Sequence, residues 1–143
     1  MATYGGRALY TTFKANADLN SYQYFCVSCG SVTGEVKLAT GASGPGIIGV
    51  LQDDPAAEQS GLVCFFGVTK AMAYGAINDG TATAIAYGEM LIAGSDGRFH
   101  AQATASSICN AIALEALGSA AISVIKVLLL PGIGVHTAAN NTP

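Results

Sequence analysis

Apolar residues fall along this chain in short runs, each stopped within a few positions by glycine, proline, asparagine or aspartate. Residues 22–27, Tyr-Gln-Tyr-Phe-Cys-Val, concentrate aromatic and β-branched side chains and predict a strand. Residues 35–39 alternate polar and apolar, the period of a half-buried strand. After the loop at residues 40–46, Ile47–Leu51 reads as a buried strand ended by Gln52-Asp53-Asp54-Pro55. Residues 62–66 and 68–73 are apolar runs separated by Gly67, where a kink or bulge is expected. Residues 89–92 and 98–101 flank Gly94-Ser95-Asp96-Gly97, and Asp-Gly is a favoured hairpin pair. Residues 111–116 and 122–130 predict two closing strands around Leu117-Gly118-Ser119.

Helix signals are few. Residues 56–60 leave room for one helical turn, residues 105–110 fit no single pattern, and no long segment carries apolar residues at helical spacing. Recurrent short strands between turn signals predict an all-β fold, a small β-barrel or sandwich-like domain. A weak internal echo points the same way. Ile48-Gly49-Val50-Leu51-Gln52 and Ile112-Ala113-Leu114-Glu115-Ala116 are each followed by a small-residue loop, an apolar strand and a glycine. Two such repeats suit a closed or nearly closed sheet, which removes exposed edges.

With 143 residues the chain fits one domain. Weak periodicity at residues 1–20, with Tyr4, Tyr10 and Phe13 among small and polar residues, predicts an extended N-terminal arm. The β-rich domain is then residues 21–132, and residues 133–143 form a polar C-terminal tail. Composition changes the picture at the surface. Six basic and nine acidic residues make 10% of the chain, against about 25% in an average domain, while 51% is hydrophobic. A partner is expected to cover part of so uncharged a surface; a neutral coat of Ala, Gly, Ser and Thr is the alternative. Direct nucleic-acid binding needs a basic stripe, and the net charge of −3 with six scattered cations argues against one. No membrane span is expected either. The most apolar stretch, residues 111–132, is interrupted by Glu115, Gly118, Ser119, Ser123, Lys126 and Pro131. The first residues lack a secretory pattern, so folding in a cytoplasm is expected.

Several motifs match known chemistry in spacing but not in context. Gly44-Pro45-Gly46-Ile47-Ile48-Gly49 has the dinucleotide spacing without the preceding strand and following helix that chemistry needs. Cys26-Val27-Ser28-Cys29 is one C-x-x-C, whereas zinc takes about four ligands. Cys64 and Cys109 stand alone, and neither His100 nor His136 has a ligand beside it. Free, partly buried thiols are the expectation, with a disulfide between Cys26 and Cys29 or between chains left open. Asp53-Asp54 before proline fits a capped turn better than a metal site. Asn140-Asn141-Thr142 fits a glycosylation acceptor, which carries little weight without a secretory signal. No nucleophile–base constellation emerges, and no enzyme, cofactor or metal is expected.

One ordered set of segments carries a resemblance. Gly49-Val50-Leu51-Gln52-Asp53-Asp54-Pro55-Ala56-Ala57 is followed by Gly67-Val68-Thr69-Lys70, then by Gly88-Glu89-Met90-Leu91 with Ser95-Asp96-Gly97-Arg98. Ala113-Leu114-Glu115-Ala116 and Val127-Leu128-Leu129-Leu130-Pro131-Gly132 complete it. In order and spacing, residues 17–132 resemble the capsid decoration (cement) proteins of tailed bacteriophages. Two features depart from that family: the aromatic stretch at residues 22–25 with its C-x-x-C, and a longer tail after Gly132. The resemblance implies a compact β-barrel-like domain made in the bacterial host cytoplasm. It further implies assembly as a homotrimer and attachment to the outer capsid surface of the virion, bridging subunits of the major capsid protein. Tyr4, Arg7, Tyr10 and Phe13 on the arm are the expected partner contacts, since aromatics and Arg are enriched at interface anchors; a disordered terminus is the alternative. Two competing readings are another virion component, such as a head-fibre base or minor shell protein, and a small carbohydrate-binding β module. Copy number per particle separates the first from cement. A glycan-binding assay decides the second, against which the absence of Trp counts.

Overall fold

The computed structural model describes residues 7–40, 46–77, 80–102 and 109–130, and these are all-β. Nine strands follow one another: β1 (Leu9–Ala15), β2 (Cys26–Cys29), β3 (Glu35–Leu38), β4 (Ile47–Leu51), β5 (Ser60–Ile77), β6 (Met90–Ala93), β7 (Phe99–Ala101), β8 (Ala111–Ala113) and β9 (Ile122–Leu129). They form one sheet in the order β1-β3-β2-β4-β5-β7-β6-β8-β9, and β5 pairs additionally with β1 and with β9. Those two extra pairings close the sheet twice. The first five-stranded barrel is β1-β3-β2-β4-β5, the second is β5-β7-β6-β8-β9, and they share the 18-residue β5. Closure leaves no long unpaired edge in either circuit.

The two barrels have the same topology strand for strand. In each, the first strand runs parallel to the third and antiparallel to the fifth, and the remaining pairs are antiparallel. Register matches as well. Leu51↔Val63↔Thr11 in the first barrel corresponds to Ala113↔Val127↔Thr69 in the second. Val27↔Leu38 and Cys29↔Val36 correspond to Leu91↔Ala101 and Ala93↔Phe99. Left-handed backbone recurs at matched sites: Tyr24 and Gly88 (φ 70° and 84°), Gly34 and Gly97 (85° and 74°), Glu58 and Ala120 (68° and 59°). Matched hydrogen bonds hold these bends, Tyr24 N–H to the Leu51 carbonyl and Gly88 N–H to that of Ala113. The repeat legible in the sequence is therefore a duplicated unit, although its register pairs Val50 with Ile112, two residues away from the match of Ile48 with Ile112.

Two cores result. Ala15, Leu19, Val27, Val36, Leu51 and Val63 fill the first barrel. Phe99, Leu91, Ile125, Val127 and Leu129 fill the second among many alanines, and this core continues onto Cys26, Ala39, Val50 and Cys64 on the outer side of the first. The seam between the barrels is also polar. Cys26 N–H donates to the Gly97 carbonyl and Met72 N–H to that of Tyr24, both at 2.7 Å. Arg98 lies over the Phe25 ring, 5.5 Å from its centre.

Several expectations shift. Residues 9–15 are a strand of the sheet rather than a separate arm, and Ala15 and Leu19 are core residues, so the body of the fold begins well before residue 21. The weak periodicity there has a cause: Leu9, Tyr10, Thr11 and Thr12 are all exposed, so no alternation of burial marks the strand. Residues 22–25 are a turn, with Tyr24 at positive φ, and the strand starts only at Cys26. The runs on either side of Gly67 are one continuous strand, and the expected irregularity falls just before it, where the register against β1 shifts between Cys64 and Phe66. Residues 56–59 make a single hydrogen-bonded turn, Gln59 N–H to the Ala56 carbonyl, and no helix. The Gly94–Gly97 turn is formed as its Asp-Gly pair predicts.

Candidate functional site

Of the four residues expected to contact a partner, Tyr4 lies outside the described residues, as does the tail at 133–143. Arg7 is exposed at the entrance to β1. Tyr10 is 48% exposed and sits across from Cys64. Phe13 packs half-buried against the core of the first barrel, opposite Gly61. Tyr10 instead belongs to an apolar strip the sequence reading did not single out. Leu9 pairs with Phe66, Tyr10 with Cys64 and Thr12 with Leu62, and Leu9, Tyr10, Leu62 and Phe66 are all exposed large hydrophobics. Leu62 and Phe66 lie on either side of a register shift in the β1–β5 ladder, which falls between Cys64 and Phe66, and both are exposed. The run at residues 62–66 is apolar throughout, which hides in the sequence which of its side chains are exposed.

The second barrel provides a comparison. There the partners corresponding to Thr12↔Leu62 are Lys70↔Lys126, two exposed lysines directly opposite each other. Like charges in that position repel, and Glu115 answers one of them, its carboxylate 3.9 Å from Lys126 Nζ while also accepting the Lys126 backbone N–H. At this one cross-strand pair the second barrel carries two lysines where the first carries threonine and leucine.

Ionisable groups cluster at two places. The Glu35 carboxylate accepts from Asn16 Nδ2 at 2.9 Å and pairs with Lys14, which also reaches Glu58. The Asn16 hydrogen bond, with Lys14 beside it, holds the Glu35 carboxyl below its ordinary range. The second cluster lies at the seam. His100 Nε2 donates to Asp96 Oδ1 at 2.9 Å, and Arg98 binds Asp96 through its backbone N–H and its guanidinium. Burial alone would raise the Asp96 carboxyl, but the hydrogen bonds from His100 and Arg98 outweigh it and bring it down to about 2. The Tyr74 ring meets that of His100 nearly at right angles, centroids 5.5 Å apart, and the His100 Nδ1 has no hydrogen-bond partner among the described residues. This pair resembles a base and its orienting acid, but the nearby thiol is unsuited to attack. Cys26 is fully buried, and burial, reinforced by Asp96, pushes its thiol far above the usual range. The cluster holds the β6–β7 turn against the first barrel.

A pH dependence follows. A carboxyl depressed by folding binds its proton more readily in the unfolded chain, so its contribution is full above about pH 4 and fades as pH falls towards 2. Wild-type stability, measured by urea unfolding, is expected to drop across that window. Asp96→Asn should be less stable at pH 7 and show a shallower acid decline; an unchanged slope would remove Asp96 from the seam's electrostatics.

All four cysteines are free thiols, Cys29 exposed and Cys26, Cys64 and Cys109 buried. Among the described residues no group of three or more His, Cys, Asp or Glu is placed to hold a metal ion, and no helix is long and apolar enough to cross a membrane. Asp53 accepts the Leu62 N–H, a turn-bracing role.

No family model matches the chain, and no curated protein does. Among solved structures the chain is similar to the head fibre gp8.5 N base of bacteriophage phi29, with a TM-score of 0.54 and 17% identity, covering 87% of this chain and 95% of that one. Over most of both lengths, this chain has the fold of a phage head-fibre base.

Proposed function

We propose that the protein is a structural, non-catalytic component of a tailed-phage virion that attaches to the outer capsid surface through the strip Leu9, Tyr10, Leu62 and Phe66. The observation that carries this reading is the exposure of Leu9, Tyr10, Leu62 and Phe66 along the β1–β5 ladder, with lysines at the second-barrel pair that duplicates Thr12↔Leu62. Four large apolar side chains in a row form the kind of patch that marks an interaction site on a soluble protein. The likeness to a head-fibre base supports a virion role and favours an anchoring base at least as well as a cement that bridges major capsid protein subunits. Both functions need rigid, repeated attachment rather than turnover, and self-association, as a trimer or another closed ring, would multiply each weak contact.

Purified protein mixed with bare capsids should co-sediment with them. Leu62→Lys with Phe66→Lys, which charges two exposed positions of the strip, should abolish co-sedimentation while the protein stays folded. Attachment unchanged in that variant would discard the strip. Bound copies counted by electron microscopy separate the two forms of the proposal. Cement occupies most equivalent shell positions and raises resistance to heat, whereas a fibre base occupies a subset and leaves that resistance unchanged.

A further inference from the structure

The duplication assigns a second surface. Across the outer side of the first barrel, Cys26, Val50 and Cys64 form one cross-strand row with Tyr10 at its end. Cys26, Val50 and Cys64 are fully buried because the second barrel packs on them. The corresponding row of the second barrel is Met90, Ile112, Leu128 and Val68, joined by the equivalent pairings. All four are apolar, yet Met90 is 46% exposed and the other three are only partly buried. Within the chain, a site that is covered in one copy of the unit is uncovered in the other.

What covers the first row indicates what fits the second. At the Cys26 end of that row the second barrel presents its β6–β7 turn: Gly97 packs against Leu38 and Phe25, its carbonyl takes the Cys26 N–H, and Met72 N–H reaches Tyr24. The duplicate of that turn is the β2–β3 turn, Gly30 to Gly34, which carries Val32 at 62% exposure. Each chain thus carries one unused turn on its first barrel and one unused apolar row on its second. We infer that these two surfaces join between copies, the β2–β3 turn of one chain seating on the Met90–Ile112–Leu128–Val68 row of the next.

Charge is compatible with this contact. Glu35 stands where Arg98 stands in the second barrel, and Glu89 stands where Phe25 stands in the first, which alone would set two carboxylates together. Lys14, the duplicate of Met72, arrives with Glu35 and already pairs with it, and Met72 is the residue that touches Tyr24, next to Phe25. A cation therefore accompanies the extra acid. The contact is head-to-tail, the same pair of unlike surfaces used between every two neighbours, and such contacts close into rings or run on as filaments. This inference rests on the self-association in the reading above and not on capsid attachment.

The test is mass in solution, without capsids, by light scattering after size exclusion and by sedimentation. The wild type is expected above monomer mass. Val32→Lys disables only the turn and Met90→Lys only the row; both positions are exposed, and far-ultraviolet circular dichroism checks that each variant is folded. Each alone should run as a monomer. Mixed in equal amounts they should form a one-to-one dimer and nothing larger, because the intact row of the first binds the intact turn of the second. A two-fold contact between like surfaces gives no such rescue. Wild-type oligomers that survive both substitutions would sink this surface while keeping self-association, and a wild-type monomer at tens of micromolar would sink both.

Discussion

Phe99→Ala is expected to destabilise the protein by about 3–5 kcal/mol, the usual cost of deleting a buried aromatic ring. The reason lies in what surrounds it. The second barrel's core is lined by Ala71, Ala73, Ala93, Ala101, Ala111 and Ala113, and Phe99 is the sole aromatic ring of that cluster among the described residues. Alanines have no side chain to swing into a void, and the two ladders that hold β7, to β6 and to β5, limit backbone collapse. The loss is a large part of the roughly 5–15 kcal/mol that holds a typical domain together. Urea unfolding at pH 7 reads it directly, and a cost under about 1 kcal/mol would mean that the ring does not fill this interior.

Gly67→Val should cost about 2–5 kcal/mol, combining backbone strain with overpacking. Gly67 stands where β5 stops pairing with β1 and starts pairing with β9. Its φ is 99°, open to glycine and strained for any β-branched residue, and an added Cβ would lie 2.8 Å from the Arg7 carbonyl oxygen and 2.9 Å from the Ala8 Cα. Backbone cannot swing aside as a side chain can. The expected readout is a lower urea midpoint with loss of amide protection on both sides of the joint, near Leu9 and near Leu129. A variant as stable as the wild type would show that the joint tolerates a side chain.

Much of the architecture is legible locally. Ile47–Leu51 emerges with its observed bounds, and the closing strand at 122–130 within one residue, because short apolar runs rich in Ile and Val between turn formers admit little else. The Asp96-Gly97 turn is equally direct. β1 escapes because its first four side chains face solvent, leaving no burial pattern to read. The aromatic run at 22–25 misleads in the opposite direction: Tyr24 takes a left-handed turn that only its duplicate, Gly88, announces by residue type. Of the expected contacts, Tyr10 lies on the exposed strip and Phe13 turns into the core, since neighbouring positions on a strand point to opposite faces.

From residue order alone come an all-β chain punctuated by glycine, a surface short of charge and a faint repeat. These are properties of nearest neighbours and of composition. Tertiary structure alone decides that the repeat is two barrels in matching register, that one long strand belongs to both, and that equivalent rows meet different fates. Pairing between strands is set by contacts distant along the chain, so whether Cys26 is covered or Met90 left open depends on what folds against them and not on the residues beside them.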